Sequence, residues 1–311
     1  GYESARIRIQ PTGAVQVWTG TSPHGQGHET SWSQIVADSF GISPDMIEVR
    51  HGDTLESPGM GVGTFGSRSL AVGGVAVYKA AEKLREKIRL IGAHMLEASP
   101  EDVVFEGGTI HVKGVPEKSK AFGEVVFQSY LAFNMPDGME PGMDQTVYYD
   151  PTNFTFPFGT HIAEVEIDPE TGSTQIVRYV ACDDCGVQIN PMIVEGQLHG
   201  GIVQGIGQAL FERAVYDDNG QLVSGSMMEY HVPRASDLPT AMELDHTVTP
   251  SPVNPLGVKG IGEAGTIAST PAVVNAALDA LAAVGVKDMS MPLTAERVWT
   301  AIEAARKEVR R

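Results

Sequence analysis

Apolar and polar residues alternate through Ala5-Arg6-Ile7-Arg8-Ile9, pause at Pro11-Thr12-Gly13 and resume in Val15-Gln16-Val17-Trp18. A period of two on either side of a Pro/Gly turn predicts a β-hairpin with one buried face. After the glycine cluster at 25–27, the pattern changes to a helix from Glu29 to Ser39, stopped by Gly41. Asp45 to Arg50 alternates as a strand. The Gly/Ser-rich loop from Gly52 to Ser69 has a length that compact domains usually reserve for binding. A long helix is expected over Leu70–Leu96, followed by a strand pair at Val103–Phe105 and Thr109–Val112.

Residues 113–158, rich in Pro, Met and aromatics, read as irregular. The plan then repeats. Ala163–Ile167 and Gln175–Val180 form a hairpin around Asp168-Pro169-Glu170-Thr171-Gly172, and a helix follows over Met192–Phe211. Asp218-Asn219-Gly220 is a strong two-residue turn signal. Helices near 268–284 and after Thr294, a suitable N-cap, complete the chain. The predicted fold class is α+β, with two related lobes of mixed β-sheets and packed helices. The expected divisions are a first lobe over 1–130, a crossing segment over 131–160 and a second lobe over 161–311.

The 311 residues are enough for one large or two ordinary domains with a sizeable core. With 42% hydrophobic and 20% charged residues, the composition is that of a soluble globular protein. The net charge of −17 argues against a nucleic-acid or anionic-membrane surface. No apolar run reaches the roughly 18 residues of a membrane span, and no signal peptide opens the chain. The strand-like start reads as an internal domain boundary, so a larger polypeptide or a split enzyme is expected.

Glycine makes up 35 of the 311 residues, about 11% against the usual ~7%. The excess gathers at Gly25-Gln26-Gly27-His28, at Gly61–Ser69, at Gly196-Gln197-Leu198-His199-Gly200-Gly201 and around Lys259–Thr266. Each cluster opens onto a helical pattern, where unpaired N–H groups and the helix dipole favour anions. None is a Walker loop, and Gly201-Ile202-Val203-Gln204-Gly205 is not a G-x-G-x-x-G after a strand, so a nicotinamide-type dinucleotide fold is weakly supported. Any one of them is equally well a tight turn; together they point to a large anionic ligand in a crevice. Glu263 stands inside the last cluster, before an apolar helical run, where it is either a helix stabiliser or a reacting carboxylate.

Cys182 and Cys185 form a C-x-x-C, but Asp183 and Asp184 oppose thiolate formation. Zinc needs two further ligands, and an iron–sulfur cluster needs four cysteines or equivalents. The reduced pair suits a cytoplasmic protein.

The clusters, in order, resemble those of the molybdenum hydroxylase family. The resemblance is carried by Thr19-Gly20-Thr21, Gly25–Thr30, His51-Gly52-Asp53-Thr54, Gly63–Ser69, Asp184-Cys185-Gly186, Ile189-Asn190-Pro191, Glu195-Gly196-Gln197, Asn254-Pro255-Leu256-Gly257 and Lys259–Gly265. It covers essentially the whole chain. It corresponds to the C-terminal molybdopterin-binding part of xanthine dehydrogenase, aldehyde oxidase and aerobic carbon monoxide dehydrogenase large subunits, the last nearest.

The resemblance implies a molybdopterin cofactor in its cytosine dinucleotide form, with molybdenum held by the pterin dithiolene rather than by side chains. Gln26 matches the glutamine that hydrogen-bonds a molybdenum oxo ligand or the adjoining pterin, followed by Gly27 and His28. Phe65, Gly66 and Ser67 match the segment over metal and pterin, continued by Arg68 and Ser69. Cys185, Asn190 and Gln197 match positions near the pterin or its nucleotide, and Lys259 is a polar contact to the cofactor. Glu263 matches the general base. A dry pocket beside an anionic cofactor is expected to raise its pKa toward the working range.

Implied partners are the N-terminal part of the same subunit, an iron–sulfur subunit and an FAD subunit, in a dimer of heteromers. No iron–sulfur or flavin group is expected in this chain itself, nor nucleic acid or membrane. Two other classes stay open: a catalytically silent fragment that needs its other half, and a nucleotide-binding module without redox activity.

Overall fold

The structure is a computed structural model describing residues 1–56, 60–239 and 241–309. Residues 57–59 of the Gly52–Ser69 loop lie outside the described residues. The chain divides into two compact units. The first holds Gly1–Thr155, Val187–Asn190 and Pro250–Gly260; the second holds Phe156–Gly186, Pro191–Thr249 and Ile261–Arg311.

In the first unit, β1 (Glu3–Ile9) and β2 (Val15–Thr19) form the expected hairpin, with Ile7 opposite Val17. β3 (Ile47–Arg50) joins β2 in parallel, and β7 (Asp144–Tyr149) pairs antiparallel with β1, giving the mixed order β3-β2-β1-β7. Ala5, Ile7 and Ile9 point into the core from one face of β1, as a period-two strand requires. Helix α1 (His28–Phe40) ends at Gly41, whose φ of 63° is the left-handed cap that glycine takes without strain. Helix α2 (Val75–Met95) is preceded by one π-helical turn over Ser69–Gly74. It buries Val77, Ala80, Ala81, Leu84, Ile88 and Ile91, the i, i+3, i+4 stripe of an amphipathic helix.

Residues 113–158 are more ordered than their composition implied. β4 (Val103–Glu106) and β5 (Thr109–Val112) are joined by a third strand, β6 (Val115–Ala121). β6 is an almost wholly exposed edge strand, so it carries no apolar alternation to betray it. Helix α3 (Phe122–Leu131) follows, burying Phe122, Val125 and Val126. Together with β7 it places residues 113–155 inside the first unit.

The second unit is built on β8 (Phe158–Ile167) and β9 (Thr174–Asp184), paired antiparallel, with β10 (Ala241–Thr247) parallel to β9. β10, unexpected from the sequence, is another exposed edge. Helices α4 (Pro191–Leu210) and α5 (Ala264–Ala282) pack on each other, and α5 lies against β8. Helix α6 (Ala295–Val309) adds Val298 and Ile302 to the same core. The Asp218-Asn219-Gly220 turn forms, its arms joined by a bridge between Tyr216 and Leu222 and by backbone hydrogen bonds from Asp217 N to Gln221 O and from Val223 N to Val215 O, 2.9 Å each.

Candidate functional site

In the first unit, Gly25-Gln26-Gly27 turns the chain from β2 into α1, with Gly27 left-handed at the helix entry. The Gln26 Oε1 accepts the backbone N–H of His24, which fixes the loop and leaves the amide NH2 as the donating end. His28 is buried and stacks on Trp32, with ring centroids 4.9 Å apart. Burial pushes its pKa down to about 4, so the imidazole is neutral near pH 7. Its Nδ1 is buried without a hydrogen-bond partner among the described residues. The next residue, Glu29, accepts from or shares a proton with His51 Nε2 at 2.8 Å, joining the 25–30 and 51–54 motifs.

The second loop, Gly61–Ser69, is organised from beneath by a residue that the sequence reading missed. Glu3 is fully buried on β1, in phase with Ala5 and Ile7. Its Oε1 accepts the N–H groups of Val62 (3.0 Å) and Gly63 (2.8 Å) and pairs with Arg68 Nη1. Arg68 also donates to the carbonyls of Gly63 (2.6 Å) and Gly1 (2.6 Å) and stacks under the exposed ring of Phe65, 5.2 Å away. Arg68 therefore acts inward, as the brace of the loop. Ser67 is held at φ 55°, a left-handed conformation that costs a non-glycine residue about 1–3 kcal/mol and tends to occur where function demands it. Ser69 Oγ donates to Thr64 Oγ1 at 3.2 Å.

Two other predicted residues belong to this unit. Asn190 donates from Nδ2 to Gln34 Oε1 of α1 at 2.9 Å. Lys259 is buried beside Gly260, and a Cβ on Gly260 would fall 2.0 Å from the Ser67 carbonyl oxygen. The Lys259-Gly260 backbone thus lies directly on the Phe65–Ser69 turn. Asn254 locks the approach to it, accepting from Val258 N (3.2 Å) and donating to Val258 O (2.9 Å).

The second unit contributes Cys185, Gln197 and Glu263. Cys185 is buried against Val194 and Leu198 of α4, with Ile261 and Ala264 packed alongside. Gln197 is half-buried on α4. Glu263 stands at the entry of α5 without capping its own helix, and it is exposed. The dry surroundings expected for this carboxylate are not supplied by the described residues of the second unit.

The glycines separate into two classes that the sequence could not distinguish. Gly201, Gly205 and Gly265 are contact points between α4 and α5: a Cβ on Gly265 would stand 2.7 Å from the Leu198 oxygen, and one on Gly205 1.8 Å from Ser269 Oγ. By contrast, a Cβ on Gly25, Gly63 or Gly66 would meet nothing within 4 Å among the described residues, and the same holds for Gly196 and Gly200, one turn apart on α4. These are bare main-chain surfaces turned to open space. With the buried Nδ1 of His28, those of the first unit, Gly25, Gly63 and Gly66, fit a bulky cofactor that approaches the backbone closely.

A family model described as a molybdopterin cofactor-binding domain matches residues 1–239. The chain is 44% identical to the carbon monoxide dehydrogenase large chain of Hydrogenophaga pseudoflava over 97% of its own length and 37% of that relative's. It is 39% identical to the nicotine 6-hydroxylase large subunit of Paenarthrobacter nicotinovorans, covering 96% of this chain and 36% of that one. Quinoline 2-oxidoreductase from Pseudomonas putida 86 superposes with a TM-score of 0.90 at 42% identity, over 97% of this chain and 38% of that one. The chain thus spans little more than a third of the length of these relatives.

Proposed function

This chain belongs to the molybdopterin cofactor-binding domain family, and from that premise we propose that it forms the C-terminal cofactor-binding portion, or the medium subunit, of a cytoplasmic molybdenum hydroxylase. The observation that carries the reading is the set of open glycine turns at Gly25, Gly63 and Gly66, all within the matched region. Bound there, molybdopterin, as the cytosine dinucleotide, would supply a molybdenum centre that accepts two electrons while a water-derived oxygen enters the substrate.

The residues of this chain divide the work. Gln26 donates from its side-chain amide, and the Phe65–Ser69 turn and Lys259 shape the cradle that Glu3 and Arg68 brace. Asn190, Gln197 and Cys185 flank the pterin or its nucleotide tail. Glu263 takes the proton at its carboxylate and so acts as general base. The remainder of the large subunit excludes water from Glu263, and iron–sulfur and FAD subunits receive the electrons, in a dimer of heteromers.

The test is Glu263→Gln in the full-length enzyme. Molybdenum and cytosine nucleotide per chain should stay near wild type, while turnover falls about 10²–10⁴-fold. Near-normal turnover would remove Glu263 from this role. A purified wild type without molybdopterin would turn the assignment toward a silent fragment or a plain nucleotide-binding module.

A further inference from the structure

Inside the second unit, one face of the β8–β9 pair carries polar groups where a core should be apolar. Tyr179, Ala181 and Asp183 alternate onto this face of β9, and all three are buried. His161 of β8 sits opposite Ala181 and reaches both polar neighbours. Its Nε2 lies 2.9 Å from Asp183 Oδ2, and its Nδ1 lies 2.8 Å from the Tyr179 hydroxyl. The His161 side chain is 1% exposed and that of Asp183 is 5%. Gly159 makes room for the carboxylate, since a Cβ there would fall 2.3 Å from Asp183 Oδ1.

Only one proton arrangement satisfies a neutral imidazole here. A carboxylate can only accept, so Nε2 carries the hydrogen, and Nδ1 accepts from the tyrosine. Burial, and then the Asp183 charge, raise the Tyr179 pKa, which keeps the phenol a donor. A fully satisfied buried polar row rigidifies what it holds, and this one ends where β9 ends. Asp184, the next residue, accepts from Gly186 N at 2.9 Å and from Thr247 Oγ1 of β10 at 2.9 Å. Cys185 then drops into the pocket of Val194 and Leu198.

We infer that His161 is the positioning residue of the Asp183-Asp184-Cys185-Gly186 turn: by holding the Asp183 carboxylate from the interior, it fixes where Cys185 meets the cofactor. The cofactor half of this inference rests on the function proposed above; the positioning half does not. The analogy is with the outer partners of metal ligands, whose loss weakens a site that they never touch.

Two readouts on the purified full-length enzyme keep the halves apart. The first is the rate at which a maleimide labels Cys185, followed by peptide mass spectrometry. The second is molybdenum per chain. His161→Leu removes the donor to Asp183 and should speed Cys185 labelling about tenfold as the turn opens, and lower molybdenum content about tenfold. His161→Gln, whose amide can replace Nε2–H, should restore both. Val298→Ala, in the same core but outside this row, should lower the melting temperature and leave both readouts alone, showing that general loosening of the core is not the cause. Unchanged Cys185 labelling in folded His161→Leu, or equal effects in Val298→Ala, would overturn the inference. Faster labelling with unchanged molybdenum content would overturn its cofactor half, and if the wild type also lacked molybdenum, the functional reading itself would fail while the positioning role of His161 stood.

Discussion

Glu3 and Arg68, 65 residues apart in sequence, form a buried ion pair that carries the Gly61–Ser69 loop. The pair faces inward, and the glycines that it holds face open space. The loop thus has a charged hinge below and a bare main chain above. Breaking one side of such a pair strands the other charge in the interior. Glu3→Gln is expected to lose about 3–5 kcal/mol of stability in a denaturant melt. The double variant Glu3→Gln/Arg68→Met should lose less than the sum of the two single variants, because no lone charge is left behind.

His28 gives a pH dependence whose sign can be worked out. Its pKa is about 4 in the folded protein against an ordinary 6.5. The unfolded chain takes up this proton first as pH falls. The stability contribution is therefore complete above pH 6.5 and is lost between 6.5 and 4, at most about 3 kcal/mol. Chemical melts at pH 7, 5.5 and 4.5 should show this slope. His28→Phe, which keeps a ring beside Trp32, should flatten it.

The two glycine classes predict opposite phenotypes. Gly66→Leu adds a side chain into open space at φ 55°, at a cost of about 1–2 kcal/mol to the fold. It should strip molybdenum from a protein that still melts cooperatively. Gly265→Leu drives a side chain into the backbone of α4 and should cost about 3 kcal/mol or more. Elemental analysis beside a melting curve separates the two cases.

Legibility followed burial. The β1–β2 and β8–β9 hairpins and helices α1, α2, α4 and α5 each bury one face, and their period showed in the sequence. β6 is an exposed edge held by backbone pairing, and no side-chain pattern marks it, while β10 turns only Met242 and Leu244 to the core, too short an alternation to stand out. Glu3 could have been found: it is a carboxylate in phase with Ala5, Ile7 and Ile9, on the face that the alternation assigns to the core. Asp183 carries the same signal beside Tyr179 and Ala181. What the sequence could not supply is which neighbour each glycine faces, because that depends on pairing between distant segments. Gly63 and Gly265 look alike in the chain, yet one faces open space and the other a helix backbone.

The first unit is not contiguous: it takes back Val187–Asn190 and Pro250–Gly260 after the chain has entered the second. Val258 is fully buried in the first unit's core. During synthesis, then, the amino-terminal sheet waits with a gap in its interior until the ribosome has delivered some hundred further residues, most of them destined for the other unit. Truncation at residue 155 would leave that gap permanently open, so genetic dissection of this protein has to respect an interleaved order of assembly rather than a boundary between two halves.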